Sequence, residues 1–413
     1  MVQSLRYYRD PYGYVLGCHR KYGDCFTINL IPCGKLVCIA DPEAVRTLLA
    51  GSTTSGELHE FLAPVLGRGI PVLDGEPHAR AVRWIAPALT TERLRPWLDE
   101  IERLTSEEVA TWPQGEAFAL RPRLEALAMR IILRVLFGGA AAERVAPLGP
   151  LILRLKTRDL VQAVMASLPF GFASWKLSGA SARTSAAIDA CIFAELEARR
   201  AGIVENDGVL ARLLAARPDD GTLATDRELR DELMTLIFAG HENVAAQLAW
   251  TFERVLRHPA VLAQLAAREP RYADAVLMET MRQRPVIAEV VRKLGAATEL
   301  GNHALPAGTE VSIAIIALHM RADLFPEPDA FRPERFIEIS RATRDPCMYL
   351  PFGGGARRCT GAEFAMLQMR TMLTTILARA ELRAPDAAPE RGVSNGIIVG
   401  PHRGTIVIMD RLR

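Results

Sequence analysis

The stretch that decides the fold is "FGGGARRCTG", Phe352–Gly361, which packs four glycines, two arginines and one cysteine into ten residues. Glycine-rich loops beside charge serve as phosphate cradles, nucleophile sites or metal-ligand loops. A dinucleotide fingerprint needs Gly-x-Gly-x-x-Gly, and counted from Gly353 the sixth position is Arg358. A phosphate loop needs Gly-x-x-x-x-Gly-Lys-Ser/Thr, which is absent. A nucleophile elbow wants glycines close on both sides, but Cys359 has Gly361 after it and Arg357 two before it. What remains is the order Phe-x-x-Gly-x-Arg-x-Cys-x-Gly, carried by Phe352, Gly355, Arg357, Cys359 and Gly361.

The rest of the chain narrows the possibilities. Its 413 residues suggest two or three domain-sized units or one large fold. With 49% hydrophobic and 24% charged residues the composition is ordinary for a globular protein. Lys plus Arg (50) nearly balance Asp plus Glu (48), so nothing global points to nucleic acid as a partner. Charges and Pro11 interrupt the apolar residues of the N-terminal stretch, and no later run reaches the roughly 18 apolar residues of a spanning segment. The expectation is a cytoplasmic protein with no membrane anchor. Seven cysteines, an odd number with no Cys-x-x-Cys pair, argue against a disulfide framework or a zinc ribbon.

Along the chain, "CFTINL" and "KLVCIA" read as strands around a turn, and "DPEAVRTLLA" as a helix capped by Asp41 with Pro42 in its first turn. From about residue 76 to 290 the helical period dominates. "LPAGTEVSIAII" and "GIIVGPHRGTIVIMD" return to short strands. The long loop-rich span before Phe352 is of functional length. With no repeat or linker, the reading is one mainly α unit, 1–413, with a small β region contributed by both chain ends.

The Cys359 loop resembles that of the cytochrome P-450 family, haem-thiolate monooxygenases whose cysteine thiolate holds iron. Its glycines suit that role, because they let backbone N–H groups turn toward the sulfur and keep it a thiolate. The resemblance implies haem b (iron protoporphyrin IX), with Cys359 as the iron ligand and Phe352, Arg357 and Gly361 in the cofactor-binding loop. In "ETMR", Glu279 and Arg282 stand three apart on one helix face. With Arg335 of "FRPERF" the resemblance makes them a buried charge network bracing the haem-side core, structural rather than catalytic.

The segment beginning "TDRELRDELMTLIFAGHENV" reads as a helix of more than 25 residues, opened by a capping box of Thr225 and Glu228 and crossing the middle of the protein. "AGHEN" lies halfway along, where Gly240 costs about 1 kcal/mol relative to Ala. By resemblance this is the distal oxygen-binding kink: Ala239 and Gly240 leave room for dioxygen, Glu242 serves proton delivery, and Asn243 stands where the family usually has Thr. His78, Arg292 and Arg357 are implied to meet the haem propionates through charge-assisted hydrogen bonds. The family's usual Arg four residues after the His is Val82 here. Arg80 and Arg83 point roughly 140–200° away from His78 by helix geometry and are left as surface charges for a redox partner. Gln368 replaces a Glu that the family often carries.

The resemblance implies insertion of one oxygen atom from O₂ into an apolar small molecule. No nicotinamide or flavin fingerprint occurs, so electrons come from a separate ferredoxin or flavodoxin with its reductase, and the enzyme is expected to be a monomer. Segments 54–73, 160–175, 285–291 and 394–400 are pocket candidates by family analogy; all are apolar with few charges, which favours a terpenoid, steroid-like or fatty substrate. The rival readings are a peroxide-driven haem-thiolate oxygenase, a haem-thiolate sensor without turnover, and a haem-free protein with a structural cysteine loop.

Overall fold

The computed structural model describes residues 2–31, 34–56, 62–155, 179–203, 207–217, 221, 223–266, 269–338 and 345–413. Pocket candidate 160–175, part of 54–73, and Cys33 lie outside the described residues. Most of the described strands come from the two ends of the chain, and a short internal strand, Ala117–Ala119, pairs with the C-terminal strand Ile406–Leu412. β1 (Cys25–Leu30) buries Phe26, Ile28 and Leu30 and turns Thr27 and Asn29 outward, the alternation of a half-buried strand. β2 (Gly34–Ile39), β3 (Thr53–Thr54), β4 (Glu289–Leu294) and β5 (Glu310–Ala314) complete a sheet in the order β1-β2-β5-β4-β3. β2 and β5 pair in parallel, Val37 opposite Val311, and the other neighbours pair antiparallel. Arg292 therefore sits on an interior strand, held in register opposite Val311.

Asp41 caps the helix Pro42–Ala50 as expected, its carboxylate accepting from the Ala44 N–H at 2.7 Å. The central helix spans Asp226–Val255, thirty residues, and opens with the expected capping box: the Glu228 N–H donates to Thr225 Oγ1, and the Thr225 N–H donates to Glu228. Leu229, Leu233, Ile237, Val244, Leu248 and Phe252 are fully or nearly fully buried, the pattern of a helix surrounded by protein. Its helical residues run on without a break through Ala239–Asn243.

Gly240 also makes room for a neighbouring helix. A Cβ there would stand 2.8 Å from Ile132 Cδ1, so the missing side chain lets the helix Leu120–Phe137 approach. Among the described residues, no helix is long and apolar enough to cross a membrane.

Candidate active site

The cysteine loop is shaped by backbone conformations that need glycine. Gly355 has φ +65°, and a Cβ there would meet the Leu49 carbonyl oxygen at 2.7 Å. The turn it makes, Gly355–Arg357, delivers Cys359 to the foot of the helix Ala362–Arg379, with Gly361 as the N-cap residue. The Cys359 N–H donates to the Phe352 carbonyl at 2.9 Å. Burial pushes the Cys359 thiol up, while the Gly361 N–H and the Arg358 charge pull it down. Yet the residue is exposed. The sulfur therefore sits in a recess, crowded by protein and open on one side, with a helix N-terminus favouring its thiolate.

On the central helix Ala239 is exposed although the residues around it are buried or half-buried, so it too faces open space. Asn243, one turn on, donates from Nδ2 to the Ala239 carbonyl at 3.2 Å, and its Oδ1 is buried without a hydrogen-bond partner among the described residues. That oxygen is available to a water or to a substrate donor. Glu242 is buried and points elsewhere: its Oε1 lies 3.5 Å from Arg121 Nη2 and 3.4 Å from Asn395 Nδ2.

His78 and Arg292 are buried and Arg357 is half-buried, and their charges influence one another. Burial lowers His78, with Arg357 and Arg292 adding to the effect and Asp74 opposing it. Burial likewise lowers Arg292 to about 10, with Arg357 the next cause. Among the described residues, Asp74 is the one carboxylate in this group; Arg357 binds it together with the Leu73 carbonyl. Two arginines beside a neutral His78, with Asp74 as the one carboxylate described among them, leave net positive charge in a poorly solvated place, which suits an anion. A haem would bring two propionates and one position for a thiolate ligand, which Cys359 could supply, so these residues fit it. Arg80 instead pairs with Glu228 at 2.8 Å, tying the helix Gly75–Ile85 to the start of the central helix, and Arg83 pairs with Glu76.

Glu279, Arg282 and Arg335 meet. Arg282 forks onto Glu279 with two bonds of 2.8 Å, Arg335 Nε reaches it at 3.2 Å, and all three are essentially inaccessible. Their remaining N–H groups go to carbonyls of His319, Pro328 and Pro326. His319 extends the cluster by accepting the Leu350 N–H at Nε2 (2.9 Å), which anchors the chain just before the cysteine loop. Sequence reasoning missed His319, Asp74, Arg121 and Asn395. Each acts across a large chain separation, and no local spacing announces it. Gln368 is fully buried with both amide atoms unpartnered among the described residues, and nothing in the structure explains it.

A recessed cysteine at a helix N-terminus, an open distal helix face and a cationic cluster define a haem-thiolate enzyme. The chain belongs to the cytochrome P450 family, whose family model matches residues 2–408. It is 35% identical over 419 residues to cytochrome P450 135B1 of Mycobacterium tuberculosis, covering 98% of this chain and 88% of that protein. Among solved structures it resembles the cytochrome P450DA haem domain (TM-score 0.85, 22% identity, 99% of this chain and 95% of that one). It also resembles the retinoic-acid-bound cyanobacterial CYP120A1 (TM-score 0.84, 22% identity, 100% and 96%). The protein is a haem b monooxygenase that uses O₂, a substrate and a redox partner. When bound, haem b supplies the activation of dioxygen and the transfer of one oxygen atom.

Proposed function

We propose that this enzyme, a single catalytic domain over residues 1–413, hydroxylates or epoxidises an apolar small molecule of terpenoid, steroid-like or fatty character. The observation that carries the reading is the fate of Glu289. It is the only charged residue in the wall segment 285–291, and its carboxyl is taken by Tyr7 (2.6 Å) and Cys38 (3.8 Å) on the N-terminal side. The rest of the segment is apolar, with Val286 packed in the core beside Tyr12 and Trp250 and with Ile287 and Val290 half-buried. Such a lining favours an apolar ligand body.

Cys359 holds the iron, with Phe352 and Gly361 shaping its loop, and His78, Arg292 and Arg357 take the propionates. Asn243 Oδ1 orients a water or a substrate donor beside Ala239. Glu242 passes protons toward that position through water, with Arg121 and Asn395 fixing its carboxylate. Glu279, Arg282 and Arg335 brace the fold beneath the cysteine loop. Electrons come from a separate acidic ferredoxin or flavodoxin with its reductase, docking near the exposed Arg83 and Arg358. The enzyme acts in the cytoplasm as a monomer.

The test is an absorbance screen of the holoenzyme for displacement of the distal water, using terpene, steroid, fatty and polar compounds. Binding by the apolar classes supports the reading, and a response confined to polar compounds overturns it. Turnover of a hit is then compared between ferredoxin with reductase and hydrogen peroxide. Product from peroxide alone would favour the peroxide-driven reading that Asn243 raises.

A further inference from the structure

We propose that Glu232 is a specificity-determining residue, hydrogen-bonding a hydroxyl or carbonyl oxygen at the far end of an otherwise apolar substrate. The inference rests on the apolar-substrate reading and refines it. Positions 232, 239 and 243 of the central helix fall within about 40° of one face. Ala239 is exposed and Asn243 half-buried on that face, so it is the one turned toward the recess.

Glu232 is 2% exposed. One carboxyl oxygen takes the Ile70 N–H, while Oε2 is buried with no hydrogen-bond partner among the described residues. Leaving a buried polar atom unpaired costs about 1–3 kcal/mol, which an apolar side chain at this place would avoid. Among the described residues no cation offsets it. Arg80 is committed to Glu228, Arg230 to Asp189 and Asp231, and the charges that act on Glu232 are those of Asp231 and Glu228. Burial pushes its carboxyl up to about 8, the two acidic neighbours add to the rise and the Ile70 N–H opposes it. Near neutral pH it is therefore mostly an uncharged acid that can both donate and accept. Acidic neighbours disfavour a carboxylate ligand.

The wall beside it is built from the chain around Ile70. The Arg68 N–H donates to Asp231 Oδ2 at 2.8 Å, and a Cβ on Gly69 would collide with Thr235 Oγ1, so this segment lies directly on the helix at the height of Glu232. Seven residues separate Glu232 from Ala239, about 10 Å along the helix axis. The substrate class is an apolar molecule with an alcohol or ketone oxygen about that distance from the carbon that reacts.

The holoenzyme is titrated by absorbance with 1-octanol, 1-decanol and 1-dodecanol, the matched alkanes, and decanoate. In the wild type the alcohol of matching length should bind about three- to tenfold more tightly than its alkane. Glu232→Leu should erase that gap while leaving alkane affinity unchanged, and Glu232→Gln should keep most of it, since an amide still donates and accepts. A gap that persists in Glu232→Leu, or a wild-type preference for decanoate, overturns the assignment and leaves the apolar-substrate reading intact. If the wild type binds none of the alcohols or alkanes, that reading fails and the assignment falls with it. If Glu232→Leu yields no holoenzyme, Glu232→Asp decides: its shorter reach should move the preferred alcohol toward 1-dodecanol, and an unmoved preference overturns the assignment.

Discussion

Glu279, Arg282 and Arg335 bury three charges and satisfy them; Arg292 is buried beside a neutral His78 and an Asp74-bound Arg357, with no carboxylate of its own among the described residues. In the first cluster Glu279 takes both arginines and backbone carbonyls take the remaining N–H groups. In the second, Asp74 is spent on Arg357 and on Ser55, and the described hydrogen bond of Arg292 is to the carbonyl of its neighbour Val291 (2.9 Å). The difference separates two uses of buried charge. A closed cluster specifies a fold, whereas an open one waits for an anion.

The closed cluster should fail the most severely. Removing one partner strands the other, so Arg282→Ala or Glu279→Ala should each destabilise the protein by about 3–5 kcal/mol, read by chemical denaturation with and without haem. Normal stability in both variants would dissolve the contrast. Replacing His78 with Gln should, by comparison, leave the haem-free fold nearly intact.

A smaller effect sharpens the comparison through pH. Burial lowers the His319 pKa from 6.5 to about 3, with Arg282 the next cause. Its folded value is depressed for a base, so above 6.5 it contributes nothing to pH dependence. Below 6.5 the unfolded chain takes up a proton that the folded chain refuses until about pH 3. Stability should therefore fall by about 1.4 kcal/mol per pH unit across that window from this group alone. His319→Gln, which keeps an acceptor for Leu350, should flatten that share of the slope in denaturation measured at several pH values.

The smallest expected effect lies at the distal helix. Asn243→Ala should release more hydrogen peroxide per electron and loosen regioselectivity, Asn243→Thr should retain much of the turnover, and Glu242→Gln should slow proton delivery with substrate affinity nearly intact. Product formed per electron supplied reads all three. Unchanged coupling in both Asn243→Ala and Glu242→Gln would remove the proton path from the account.

What the sequence made legible was local. The cysteine loop, the pair three residues apart in "ETMR" and the capping box of Thr225 and Glu228 are set by short spacings that one helix or one turn converts into contact. Local spacing could not place Gly240 against Ile132, because which face of a long buried helix meets a neighbour depends on a residue of another helix. The remaining site contacts were out of reach for that reason. Asp74 meets Arg357 across 283 residues, Asn395 meets Glu242 across 153, and β2 meets β5 only once both chain ends are brought together. Glu232 showed no motif; its unpaired oxygen became visible only once the segment around Ile70 lay over it.

The central claim is that the open cluster receives the propionates of a cofactor held by Cys359. Haem-free protein and its Arg292→Leu variant should be titrated with haem and with haem dimethyl ester, whose propionates carry no charge. The account predicts that the wild type prefers haem to the ester by about tenfold or more, and that Arg292→Leu loses much of that preference without losing stability. Equal affinity of the wild type for haem and ester, or an undiminished preference in Arg292→Leu, would contradict it.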